Sequence, residues 1–202
     1  MKRLDFVWSC AVCLASAGAV RAESAAPPKV TICIENVLDV WLANSASGLA
    51  SKVYAGIGVE TQWRYSAHSC PADAIRVSFR DETPEDLHPG SLAFAKPIEG
   101  IHVEVFFDRV CSTVERRLAP YLLAYVLVHE TAHILQGVVR HSETGIMKAK
   151  WNHNEYAQMA LGTLHFTDED VRLIHLGMER RIVRLHAGQA GSLSATLEAK
   201  AR

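Results

Sequence analysis

The alternation of apolar and polar positions is clearest in KVTICIENV, where Val30, Ile32 and Ile34 are separated by more polar neighbours. A period of two residues predicts a strand with one buried face. Leu38, Trp41, Leu42, Leu49 and Val53 then recur at helical spacing, and Gly56 follows as the expected C-terminal cap. VETQWRY alternates Val59, Thr61 and Trp63 and predicts a second strand, while AIRVSF puts Ile75, Val77 and Phe79 on one face of a third. DETPEDLHPG carries loop chemistry. SLAFA and IHVEVFF read as short strands parted by the turn KPIEG.

Beyond these strands the period becomes helical. Ser112 with Glu115 predicts a capping box for a short helix. Pro120 suits the first turn of the next helix, PYLLAYVLVHETAHILQ. That helix is apolar nearly all round, with Leu122, Leu123, Val126, Leu127, Val128, Ile134 and Leu135, so it is expected to be buried. Asn152 with Glu155, and Thr167 with Asp170, mark two later helix starts, and the last long helix is expected over about 168–186. The order of elements predicts one α+β domain: a mixed sheet with an early helix, a buried central helix and a C-terminal helical part. Residues 23–187 form this domain, and the small, polar stretch 188–202 reads as a flexible tail.

Composition adds a compartment. The chain has 202 residues, 49% hydrophobic and 21% charged, which is globular and long enough for one real core. Its start has Lys2 and Arg3, an apolar run from Phe6 to Val20, and small residues up to Ala22, the pattern of a secretory signal peptide over residues 1–22. The apolar run is short for a membrane span of roughly 20 residues, so the mature chain is expected to be secreted or periplasmic and to have no span. Removing residues 1–22 takes away Lys2, Arg3, Arg21 and Asp5, and the net charge moves from −1 to about −3. No basic patch marks a nucleic-acid partner. Three cysteines remain, Cys33, Cys70 and Cys111, which allow one bridge and a leftover thiol. Cys70–Cys111 is the preferred pair, because Cys33 lies in a strand-like run and reads as a small buried residue.

The chemistry is concentrated in HETAHILQGVVRHSETGIM. His129 and His133 are four residues apart, which on a helix places them one above the other on one face. Two such imidazoles can hold one zinc ion, with Glu130 beside a metal-activated water. A catalytic zinc takes three protein ligands and keeps one position open. His141 is the leading third ligand, but eight more residues of helix would carry it about 12 Å along the axis. The chain must therefore turn back, and Gly137 stands where a left-handed cap would turn it.

This stretch resembles the metzincin zinc proteases, whose pattern is H-E-x-x-H-x-x-G-x-x-H followed by a methionine turn. The run from His141 through SETGIM to Trp151 is most like matrixin-type members and a group of bacterial secreted zinc peptidases with H-S-x-x-G-I-M-[KR]-x-x-W. The resemblance implies that His129, His133 and His141 bind Zn2+, that Glu130 is the general acid/base, and that Met147 is the Met-turn residue. It implies a zinc-dependent endopeptidase acting on peptide or protein substrates paired with an edge strand, either 91–95 or 101–107. There are departures. Gly137 comes one residue late and His141 two, no Tyr stands two residues after Met147, and no pro-segment or cysteine switch is recognisable. Tyr156 or Lys148 would have to supply any further oxyanion donor.

Two other readings remain open. Glu155 follows His133 by 22 residues at the start of a helix, which is similar to gluzincins, whose third ligand is a Glu; its simpler role is to complete the capping box with Asn152. The site could also belong to a non-catalytic zinc-containing binding protein. His68, His88, His102, His153, His165, His175 and His186 lack paired spacing and read as ordinary residues.

Overall fold

The structure, a computed structural model, describes residues 27–65, 69–83, 90–97 and 99–200. The expected signal peptide 1–22, His68 and His88 lie outside these residues, as does the side chain of His186. Five strands form one sheet in the order β2-β1-β3-β5-β4. They are β1 (Lys29–Ile34), β2 (Glu60–Tyr65), β3 (Ile75–Arg80), β4 (Ala93–Ala95) and β5 (His102–Phe106). The pairs β1–β2, β1–β3 and β3–β5 are parallel, and β4 runs antiparallel to β5 at the edge. The sheet is therefore mixed, as the order of predicted elements required. Ile32, Ile34, Ile75, Val77 and Val105 are fully buried, each contributing roughly 1.5–3 kcal/mol through loss of apolar surface from water.

Helix α1 (Val40–Ala55) links the parallel strands β1 and β2. Asp39 caps it, its side chain accepting from the Leu42 N–H at 2.9 Å. Its buried face carries Leu42 and then small residues, Ala43, Ala46, Ser47 and Ala50, ending at Tyr54. The larger Leu38 and Trp41 are instead exposed, Trp41 at 66%. Small residues let this helix lie close against α3 (Ala119–Gln136), and the buried Tyr54 hydroxyl reaches the Val128 carbonyl at 3.1 Å and the Thr131 hydroxyl at 2.6 Å. Gly56 does cap α1 but with φ −61°; the left-handed turn falls on Gly58 at φ 74°.

Two sequence expectations fail nearby. The disulfide joins Cys33 to Cys70, not Cys70 to Cys111, and Cys111 is an exposed free thiol on α2 (Phe107–Thr113). The topology explains the pairing. Strand β1 lies between β2 and β3, so the connection carrying Cys70 must cross the end of β1, where Cys33 sits. The Ser112–Glu115 capping box does not form. Helix α2 starts directly off β5, leaving Ser112 in its last turn with its hydroxyl on the Arg109 carbonyl at 3.2 Å, while Glu115 pairs with Arg117.

The remaining helices follow the predicted starts. Pro120 lies in the first turn of α3, and all of α3 except Tyr121 is buried. Helix α4 (His153–Leu161) carries the full Asn152–Glu155 capping box. Helix α5 begins at Asp168, with Thr167 and Asp170 exchanging side-chain and backbone hydrogen bonds. It continues to Lys200 instead of ending near 186, so residues expected as a flexible tail are helical. Ala, Leu, Gln, Glu and Lys in this stretch are good helix formers and outweigh its glycines. Among the described residues, no helix is long and apolar enough to cross a membrane.

Candidate metal centre

Helix α3 presents His129 and His133 from consecutive turns at its buried C-terminal end. Each ring is held by a backbone carbonyl. His129 Nδ1 lies 2.8 Å from the Ile146 oxygen, and His133 Nδ1 lies 3.3 Å from the Val138 oxygen. A carbonyl can only accept, so each Nδ1 carries the proton and each Nε2 keeps a lone pair. These two Nε2 atoms face each other at 3.1 Å. Two buried lone pairs so close are costly without a cation between them. The separation is near the roughly 3.3 Å that two nitrogens take on one tetrahedral zinc with Zn–N of about 2.0–2.1 Å.

The chain after α3 resolves the spacing problem. Gly137 caps the helix in the left-handed conformation, φ 68° and ψ 26°, with its N–H on the His133 carbonyl. Val138 and Val139 then bulge into solvent, which takes up the two extra residues, and the chain returns with His141. The His141 ring centroid is 5.3 Å from that of His129 and 5.0 Å from that of His133. The ligand atoms of all three lie within 4.8 Å of one another. His141 is exposed, so its ring has room to rotate onto an ion shared by the buried pair.

The environment keeps these rings in the ligating form. Burial, aided by His133, pushes the His129 pKa down to about 3 against the help of the Ile146 carbonyl. Burial and then His141 push His133 down to about 4, and burial lowers His141. Neutral imidazole is the form a metal takes. Burial pushes Glu130 up to about 8, and a hydrogen bond from the Ala95 backbone opposes it. Glu130 therefore sits where α3 meets the edge strand β4. A bound cation would favour its ionised form.

The SETGIM segment forms a tight turn below His129. The Ser142 N–H donates to the Met147 carbonyl at 2.8 Å, and the Ile146 N–H donates to the His165 carbonyl at 3.0 Å. Gly145 has φ 75°, and a Cβ there would lie 2.5 Å from the His165 oxygen, so the turn tolerates no side chain at this position. Ile146 and Met147 are fully buried, and the Trp151 ring stands edge-on to His129 with centroids 5.3 Å apart.

The competing residues are otherwise engaged. Glu155 accepts from Lys148 Nζ at 2.6 Å and from the Asn152 N–H at 2.8 Å, so both its oxygens are taken and it is not part of the histidine cluster. The same ion pair occupies Lys148, and the Tyr156 ring packs against His153, which is exposed. His175 bonds the Ile57 carbonyl at 2.8 Å, and His102 pairs with Glu99. One buried residue gave no sign of its role in the sequence. Asp170, read only as part of a helix start, is 0% exposed and bonds Arg140 and Ser142, on either side of His141.

No protein-family model and no curated protein matches the chain. Solved structures do. The archaemetzincin from Methanopyrus kandleri superposes with a TM-score of 0.54 at 11% identity, covering 79% of this chain and 99% of that one. At this identity the likeness concerns the fold alone. The chain thus has a mixed α+β fold similar to that of a protein named for the metzincins, with its three clustered histidines on the central helix and the turn that follows.

Proposed function

We propose that this chain is a zinc-dependent endopeptidase, exported to the periplasm or outside the cell by its first 22 residues. In this reading His129, His133 and His141 are the zinc ligands, Glu130 is the general acid/base and Met147 is the apolar floor of the Met-turn. The observation that carries it is the pair of Nε2 lone pairs 3.1 Å apart, with both Nδ1 atoms committed to carbonyls. That donor set fits zinc, a borderline ion that favours imidazole nitrogen. The archaemetzincin-like fold supports the same reading.

When bound, zinc supplies a Lewis acid that acidifies water and polarises the scissile carbonyl. Glu130 takes the proton of the attacking water on a carboxylate oxygen and passes it to the leaving amine. Its burial and its contact with Ala95 hold it in a dry site at the border of β4. Among the described residues, strand β4 pairs on one side only, with β5, so its other edge can take up an extended peptide by main-chain hydrogen bonds. Such a peptide would pass beside Glu130. Of the two edge-strand candidates, 91–95 is favoured, because β5 is paired on both sides.

The test is to load the purified chain with zinc and assay it on a mixture of peptides, next to Glu130→Ala. Cleavage by the parent chain and none by a variant that still holds zinc is the expected result. Equal activity in both would overturn the assignment.

A further inference from the structure

His141 lies on neither a helix nor a strand, and its ring is exposed. What fixes its place is a carboxylate on a distant helix. Asp170 Oδ1 accepts from Arg140 Nη1 at 2.9 Å and from the Ser142 hydroxyl at 2.7 Å, and Oδ2 lies 2.9 Å from the same hydroxyl. The residues on both sides of His141 are therefore tied to one side chain. Asp170 is itself immobilised. It is fully buried, it accepts from the Thr167 hydroxyl at 2.6 Å, and its backbone N–H bonds that hydroxyl in return. The Ser142 N–H, meanwhile, is held by Met147 in the adjoining turn.

The bulge at Val138 and Val139 makes such a tether necessary. A connection two residues longer than the metzincin pattern has more conformations to lose, and no regular element restricts it. A buried anion facing an arginine and two hydroxyls supplies the restriction from outside the loop.

We infer that Asp170 is a positioning residue for the metal site: by clamping Arg140 and Ser142 it sets the third ligand, His141, against the His129–His133 pair. The inference rests on the zinc reading above. Partners that orient a ligand without touching the metal typically contribute roughly 10–100-fold in metal affinity.

The experiment measures zinc affinity by competition with a chromophoric chelator for the parent chain, Asp170→Asn, His141→Ala and the double variant. Visible absorption after cobalt substitution and helical circular dichroism are recorded for each. Asp170→Asn is expected to weaken zinc binding roughly 10–100-fold, to alter the cobalt spectrum, and to keep the helical signal. In the His141→Ala background the same substitution is expected to change affinity little, because the ligand it positions is gone. Affinity in folded Asp170→Asn equal to the parent, or a loss equally large without His141, would overturn the clamp while leaving the zinc site standing. No zinc binding by the parent chain would overturn the zinc reading and the clamp with it. If Asp170→Asn does not fold, Ser142→Ala combined with Arg140→Gln removes the same contacts from the loop side, and the same two outcomes decide.

Discussion

At the scale of single residues, the site is governed by burial working against charge. His129 and His133 are pushed down to about 3 and 4, and Glu130 up to about 8. The stability of the metal-free chain therefore depends on pH with opposite signs. Both histidines must stay neutral when folded, so their contribution is lost below their ordinary value of 6.5 and recovers as the pH rises towards it. Glu130 favours the folded state fully below its ordinary value of 4.5, and this contribution is lost as the pH climbs to about 8. These groups together predict a stability maximum near pH 6.5 for the metal-free chain, measurable as the thermal midpoint across pH. A midpoint that rises steadily from pH 6.5 to 8 would contradict the buried, protonated Glu130. For catalysis, Glu130→Gln keeps the shape of the side chain but cannot accept the proton, so kcat should fall by about 10²–10⁴-fold with zinc content unchanged. The residues of HETAH were legible in the sequence because their spacing is the helical repeat itself. Asp170 was not, since nothing local links it to a loop 28 residues earlier.

At the scale of elements, structure is legible in the sequence wherever local rules decide the outcome. Helix α3, its proline start and its glycine cap were readable because apolar periodicity and end signals agree there. The Ser112–Glu115 capping box was misread because a helix starting directly off β5 had already enclosed Ser112. The buried face of α1 is legible in part: Leu42 is buried and Leu49 and Val53 pack on the core as their spacing predicts, but close packing on α3 selects alanines over Leu38 and Trp41. The contact of α5 with α3 is tighter still. A Cβ on Gly177 would lie 1.7 Å from the Leu135 carbonyl oxygen. Gly177→Ala must part the two helices, and overpacking of this kind costs about 1–3 kcal/mol or more. Thermal unfolding should show the loss, together with weaker zinc binding, because Leu135 sits just below the His133 turn. An unchanged midpoint would mean the helices do not approach this closely.

At the scale of the whole molecule, topology decided what composition could not. Cys33, Cys70 and Cys111 offered three pairings, and the position of β1 between β2 and β3 selected Cys33–Cys70. Among these three, an alkylating reagent applied to the unreduced native chain should label Cys111 alone. Cys70→Ser should cost about 2–4 kcal/mol, the usual value of such a bridge, while Cys111→Ser should be nearly neutral. Labelling of Cys33 in the unreduced chain would contradict the pairing. Among the described residues, the sheet order also leaves β4 as an edge beside Glu130, a relation that periodicity in separate strands could not reveal. Fold and site thus meet on α3, whose buried end carries the two histidines and Glu130.

The histidines of α3, facing one another without a proton to share, carry the proposal of a zinc site. Metal analysis of the purified chain, dialysed against zinc and then against metal-free buffer, tests it most directly. One zinc per chain, lost on substituting His129 or His133 by Ala, is the predicted result. A chain that retains no zinc would contradict it.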